Sequence, residues 1–384
     1  MFAISRRRSP PPSRRRARDH GTASRAVAIV LPSLVPDDAT GNDALGMRQV
    51  LTDAGYEVAL FAGRIGGDLP GDLLAAAPDW IHRRAARVVY HLASGWAAGR
   101  AFLQRTSARV VVRDHNITPA AFFDDVNDEF AAAARSGEAE RQRLANDPRV
   151  GCWLACSPFS AASATGLGAD PAKVRVAAPL HPLEQLESAA PDLRRLRAWT
   201  EHPADALFVG RFAPNKGHLQ MLAIAAHYRE LFGRAPRLRL VGRFDPRLWR
   251  WRALLDQECT RLGLGSDVEI IGEVDLATLK AAYLTSHAFL CCSEHEGFCI
   301  PLVEAGALGV PVVATDRGAV ASTLAPDAAV LRDASADEIA VALHRVLNDP
   351  ALRDRLVQNQ RAHVRAHFAA EVVARQILAA LETC

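Results

Sequence analysis

The 384 residues exceed what a single hydrophobic core usually holds, and two domains are expected. With 49% hydrophobic residues large cores are feasible, while a net charge of +3 gives no ground for a nucleic-acid binder. No apolar run approaches the ~18 residues of a membrane span. Seven cysteines, an odd number without C-x-x-C spacing, read as reduced thiols of a cytosolic protein rather than as a disulfide framework or zinc site.

Residues 1–24 hold Arg6-Arg7-Arg8 and Arg14-Arg15-Arg16 around Pro10-Pro11-Pro12 and read as a disordered basic tail. Without an apolar stretch it is no secretory signal; its charge is compatible with contact to anionic lipid. Strand-like runs follow at Ala26–Leu31, Glu57–Phe61, Ala86–Leu92, Ala108–Arg113 and Val150–Cys156, separated by helical stretches at Asp43–Ala54, Ala97–Gln104 and Asp125–Ala145. A Pro- and charge-rich stretch then marks a linker, residues 181–204, between a first domain (25–180) and a second (205–366). The second repeats the alternation. Strands are expected at Ala206–Val209, Leu238–Val241, Val268–Ile271, Ala288–Cys292 and Val310–Ala314, with helices at Gln220–Leu231, Leu248–Leu262, Leu276–Leu284 and Leu302–Leu308. Strand and helix in alternation imply α/β architecture with parallel, doubly wound sheets. The remainder is helical, opening on a Ser335/Glu338 capping box and broken near Asn348-Asp349-Pro350.

The densest chemistry lies in Ser293-Glu294-His295-Glu296-Gly297-Phe298-Cys299-Ile300-Pro301-Leu302-Val303-Glu304. Pro301 suits the first turn of a helix, where its missing N–H costs nothing. Glu296 would sit in the loop at a strand's carboxyl end and Glu304 one turn into the helix. Such crevices bind ligands in open α/β sheets, and the helix's free N–H groups suit a phosphate. Acceptor-only carboxylates suit hydroxyls of a sugar or ribose, so phosphate and polyol together read as a sugar nucleotide. The alternative is structural: Glu304 complementing a helix dipole and Glu296 a solvated loop acid. Upstream, Phe208-Val209-Gly210-Arg211-Phe212-Ala213-Pro214-Asn215-Lys216-Gly217-His218 places two cations after a strand. Lysine occurs only at 173, 216 and 280, and a compact point charge at Lys216 suits a diphosphate.

These two segments, in this order, resemble the Glu-x7-Glu and Gly-Arg…Lys signatures of the retaining GT-B-fold glycosyltransferases (glycosyl transferases group 1), a family with many bacterial mannosyltransferases. The resemblance covers roughly residues 205–335 and implies two Rossmann-like domains facing across a cleft, with a last helix, residues 367–384, crossing back to the first. It implies that Gly210, Arg211, Lys216, Gly297, Phe298, Cys299, Ile300 and Glu304 bind the donor, Glu304 through the ribose. Glu296 would contact the donor sugar, and Glu296, Arg211, Lys216 and His115 would form the catalytic set. One departure stands at Ala321-Ser322, where the family usually has Pro-Glu.

Acceptor-side signals are shorter. Tyr90-His91-Leu92-Ala93-Ser94-Gly95 and Arg113-Asp114-His115-Asn116-Ile117-Thr118-Pro119 each follow a strand. The second resembles a run in family members linked to surface polysaccharide synthesis, and a family histidine near this place contacts the transferred sugar. For both His115 and His91 the alternative is a satisfied structural histidine. Thr40-Gly41-Asn42-Asp43 matches the family's amino-terminal glycine loop, although a helix cap by Asn42 also explains it. The acceptor-side set is therefore Gly41, Asn42, His91 and Ser94. Asp124, Asp125 and Asp128 read as a solvated helix face, not a metal cluster.

The resemblance implies a retaining transferase moving a hexose, mannose favoured, from a GDP- or UDP-sugar to a saccharide or lipid-linked acceptor. It implies cell-surface polysaccharide or glycolipid synthesis, in the cytoplasm or peripherally at the inner membrane face. No metal, other cofactor or nucleic acid is expected. A nucleotide-sugar epimerase or a phosphorylase on the same fold, or a non-catalytic scaffold, are the rivals.

Overall fold

The computed structural model describes residues 25–36, 38–84 and 86–383; the basic tail expected at 1–24 lies outside them. The first half runs β1 (Ala26–Leu34), α1 (Ala39–Asp53), β2 (Glu57–Ile65), β3 (Asp72–Leu73), α2 (Ala77–Arg84), β4 (Arg87–Leu92) and α3 (Ala97–Arg105). It continues with β5 (Val110–Asp114), α4 (Asp128–Ala145), β6 (Val150–Ala155), α5 (Pro158–Gly166) and β7 (Val174–Val176). These strands form one parallel sheet in the order β3-β2-β1-β4-β5-β6-β7.

Two helices follow, α6 (Leu183–Ser188) and α7 (Leu193–Glu201). The second half then runs β8 (Ala204–Val209), α8 (His218–Phe232), β9 (Leu238–Val241), α9 (Trp249–Arg261), β10 (Val268–Ile271), α10 (Leu276–Leu284) and β11 (Ser286–Cys291). After it come α11 (Ile300–Leu308), β12 (Val312–Thr315), α12 (Val320–Thr323), β13 (Ala329–Leu331), α13 (Ala336–Asn348), α14 (Pro350–His367) and α15 (Ala370–Glu382). The second sheet, also parallel, has the order β10-β9-β8-β11-β12-β13.

Strand order places the site. Each sheet reverses direction once, between β1 and β4 in the first and between β8 and β11 in the second. At such a switch point the connections leave toward opposite faces and open a crevice at the strands' carboxyl ends. β8 and β11 pair directly, Ala206 beside Ala288 and Leu207 beside Phe289. The two sequence motifs, one after each of these strands, therefore emerge side by side.

The stretch expected as a linker, 181–204, departs from that reading. It carries α6 and α7, and Leu186 and Trp199 are buried with Leu207, Tyr283 and Phe289 in the second domain's core. Trp199 donates from its indole to Glu269 at 3.2 Å, and the Arg239 guanidinium lies 4.2 Å over its ring. The helices are charge-rich on their exposed sides, which gave the segment its linker-like composition.

α15 packs on the first domain: Val373, Ile377, Ala380 and Leu381 are buried with Val27, Ile29 and Met47. Arg87 also donates to the carbonyl of Leu381. The Ser335/Glu338 capping box and the break before Pro350, where Asp349 caps α14, are both present. Among the described residues, no helix is long and apolar enough to cross a membrane.

Candidate active site

The loop after β8 contains Gly210, Arg211 and a short turn at Pro214–Lys216 that delivers Lys216 to the crevice. Gly217 follows at φ 70°, and a Cβ there would stand 1.8 Å from the carbonyl oxygen of Cys292. Only glycine permits this approach of the two loops. They are then stitched together by the Asn215 amide, which donates to the carbonyl of His295 at 3.1 Å, and by the Glu294 N–H, which donates to the carbonyl of Asn215 at 2.9 Å.

The stitched loops bring the two motifs' charges into contact. Lys216 Nζ donates to Glu296 Oε1 at 2.7 Å, with side chains 18% and 7% exposed. Burial pulls the Lys216 pKa down, but attraction to Glu296 more than offsets it and the net shift is upward. The lysine is therefore a fixed cation at any physiological pH. Arg211 is solvent-exposed beside it.

Glu304 lies within the second turn of α11 and accepts from the Tyr283 phenol at 2.7 Å. Burial raises its pKa, and the Tyr283 hydroxyl offsets this only in part. Pro301 stands in the first turn of α11, as its residue type predicts. Cys299 caps that helix at φ 75° and lies with Cys291 and Glu296 in a group whose ligating atoms are all within 4.8 Å of one another. Phe298, expected at the donor, instead buries its ring against Phe368 at 5.3 Å and within a core shared with the first domain. Its main chain accepts from Thr323 Oγ1 at 2.7 Å. Ile300 is half-buried and packs on that same core.

The first domain reaches the site through His115. A Cβ on Gly297 would lie 2.4 Å from the His115 carbonyl oxygen, so the two domains meet main chain to main chain at this glycine. Cys156 and Ser160 add hydrogen bonds to the Gly297 carbonyl at 3.1 and 3.3 Å. The His115 side chain is 12% exposed, its Nε2 standing 3.0 Å from His91 Nδ1 and 3.5 Å from Asp43 Oδ2. Asp43 is fully buried and receives Arg113 through Nε at 2.7 Å and Nη2 at 3.2 Å, and the Leu180 N–H at 2.8 Å. Burial lowers both histidines' pKa values more than Asp43 raises them, leaving neutral rings beside a closed Asp–Arg pair.

The acceptor-side expectations change in detail. His91 is 1% exposed and meets His115 rather than open space. Gly41 and Asn42 lie inside the first turn of α1, whose cap is Asp38, accepting from the Gly41 N–H at 3.0 Å; Asn42 is not the cap. Ser94 is exposed just beyond β4. Sequence reasoning assigned no role to Asp43, Arg113, Asn215, Tyr283 or Cys291. Asn215, Asp43 and Arg113 had a local signal, each lying inside a segment already singled out; Tyr283 and Cys291 had none.

The fold and this crevice define the GT-B class, two Rossmann-like domains with the candidate site between them. Over 93% of this chain and 98% of the other, sucrose-phosphate synthase from Thermosynechococcus elongatus superposes with a TM-score of 0.70 at 21% identity. An Anabaena HepE structure in complex with UDP-glucose superposes with a TM-score of 0.67 at 15% identity, covering 94% of this chain and 100% of the other. Residues 191–363 match the family model "Glycosyl transferases group 1". Curated relatives include an MMP alpha-(1->4)-mannosyltransferase of Mycolicibacterium hassiacum, 30% identical over 44% of this chain and 40% of that protein. A phosphatidyl-myo-inositol mannosyltransferase of Mycolicibacterium smegmatis is 36% identical over 46% of this chain and 44% of that protein. The chain thus spans less than half the length of these relatives.

Proposed function

We propose that the protein is a retaining glycosyltransferase that moves a hexose from a nucleoside diphosphate sugar to a hydroxyl of a saccharide or lipid-linked acceptor. The observation that carries this reading is the Lys216–Glu296 pair at the switch point of the second sheet, backed across the cleft by His115 at Gly297. In this reading Lys216 and Arg211, with main-chain amides around Gly297–Ile300, neutralise the diphosphate and the charge that grows on it as the glycosidic bond breaks. Glu296 turns from Lys216 to the sugar hydroxyls, Glu304 takes the ribose hydroxyls, and His115 closes the sugar pocket. The leaving phosphate accepts the acceptor's proton on the same face, and the fixed cations Lys216 and Arg211 stand where a metal would otherwise neutralise the diphosphate.

Mannose is favoured because relatives are named for mannosyl transfer, one of them as a GDP-mannose-dependent alpha-mannosyltransferase. A UDP-hexose is the close second, HepE having been solved with UDP-glucose. Lipid-linked acceptors at the inner membrane face fit the basic residues 1–24 and a role in polysaccharide or glycolipid synthesis.

The test is turnover of GDP-mannose and UDP-glucose with and without saccharide and lipid acceptors, the product anomer being read by NMR. Acceptor-dependent release of nucleoside diphosphate with an α-linked product is expected. Sugar isomerised without an acceptor, or turnover that needs inorganic phosphate, would replace this reading with an epimerase or a phosphorylase.

A further inference from the structure

The described residues contain two clusters of metal-ligating side chains, Asp43/His91/His115 and Cys291/Glu296/Cys299, each with its ligating atoms within 4.8 Å of one another. They differ in how they can respond to a cation. In the first, Arg113 and the Leu180 N–H already occupy the Asp43 carboxylate. The guanidinium has no proton to give up, so a divalent ion would add two uncompensated charges among side chains of 0–12% exposure. Such a burial is strongly unfavourable.

In the second cluster the balance closes. Lys216 and Glu296 start as a neutral pair, and two thiols can each exchange a proton for a bond to the ion. With a dication, two thiolates, one carboxylate and the lysine, net charge is again zero. We infer that Cys291, Cys299 and Glu296 form a binding site for a thiophilic divalent cation, Zn2+ being the ion whose ligand preferences it meets. Tetrahedral zinc takes thiolate and carboxylate ligands, whose donor atoms then lie roughly 3.5–3.8 Å apart; the three atoms, all within 4.8 Å of one another, need to close by at most about an ångström. Two protons leave to solvent as two Zn–S bonds form, Glu296 exchanges Lys216 Nζ for the ion, and water completes the fourth position.

The linear sequence conceals this site. Cys291 ends β11, Cys299 caps α11, and the residues between them carry no zinc-binding spacing. Cys299 moreover occupies a left-handed backbone conformation that favours glycine, so a side chain is tolerated there where none is needed for the turn.

The ion and the donor sugar would compete for Glu296. That consequence rests on the transferase reading, whereas the site rests on the three side chains. The test is titration of the reduced full-length chain with Co2+ as a spectroscopic stand-in for Zn2+. One Co2+ per chain is expected, with a thiolate-to-cobalt charge-transfer band that Zn2+ abolishes. Cys299→Ser and Glu296→Gln should each weaken binding at least about tenfold, and Cys299→Ser should reduce the band. Glu296→Gln leaves both thiols in place and decides the matter alone if Cys299→Ser fails to fold. Binding without a thiolate band, or a band unchanged in affinity in the Glu296→Gln variant, would overturn the assignment. Failure of the chain to bind any nucleoside diphosphate would instead sink the transferase reading and leave the cobalt spectrum as it is.

Discussion

Replacing Lys216 with alanine is expected to lower turnover about 10²–10³-fold, the usual loss when one preorganised group facing developing charge is removed. The same change should destabilise the ligand-free chain by about 3 kcal/mol, because it leaves Glu296 buried without its cation. The two effects separate in the pair Lys216→Met/Glu296→Gln. Removing both charges should restore most of the stability, since a buried ion pair contributes little net against its desolvation. Turnover should stay low, because the missing cation acts on the donor rather than on the fold. Steady-state kinetics and urea denaturation of the three proteins give both readouts. A double variant that regained activity would place Lys216 in a structural role only.

Asp43→Ala should give the largest loss of stability in the first domain, about 3–5 kcal/mol. Arg113 is 0% exposed, so its charge cannot turn to water. It would keep only the Ala177 and Ala178 carbonyls, at 2.7 and 2.9 Å, as partners. The Leu180 N–H would lose its acceptor as well. This pair joins α1 and β5 to the chain leaving β7, directly beneath His115, so the variant should also weaken substrate handling.

A pH dependence follows from the neighbouring rings. His91 and His115 are held neutral in the fold, chiefly by burial. The unfolded chain takes up their protons as pH falls through about 6.5 and the folded chain does not, so stability declines below that pH. The slope approaches about 1.4 kcal/mol per pH unit for His91, well below pH 6.5, and His115 adds in the same direction. His91→Phe should flatten the profile by about 1 kcal/mol between pH 6.5 and 5.5. His218 and His181 shift in the same direction and set a common background slope.

The parts of this fold that were legible in the sequence are those governed by local pattern. Leu238–Val241, Val268–Ile271 and Leu276–Leu284 fall on their expected bounds, because short apolar segments, two strands and a helix, are each cut off by turn or capping residues. β3, β7 and β13 are two- or three-residue edge strands with no buried face to leave a pattern. α7 was hidden by its arginines: Leu193-Arg194-Arg195-Leu196-Arg197 looks solvated until Trp199 is seen to be buried.

The candidate site divides the same way. Lys216, Glu296 and Glu304 sit in two short motifs and could be read there. Asp43–Arg113 joins residues 70 positions apart, and Tyr283–Glu304 joins residues 21 apart on two helices. Such pairings depend on the register of strands and the packing of helices, which no local window contains. The direction of the Phe298 ring was not legible for a related reason. Its ring packs into the core against Phe368, a contact made with a residue 70 positions away.

The most direct test of the central claim is the thermal stability of the chain with GDP, UDP, ADP or CDP, repeated with Lys216→Ala and Glu304→Gln. A nucleoside diphosphate at about 100 times its dissociation constant should add about 2.7 kcal/mol. One diphosphate, GDP foremost, is expected to stabilise the wild type, and both variants should lose most of the effect. Stabilisation that survives in both variants, or none from any nucleotide at saturation, would contradict that claim.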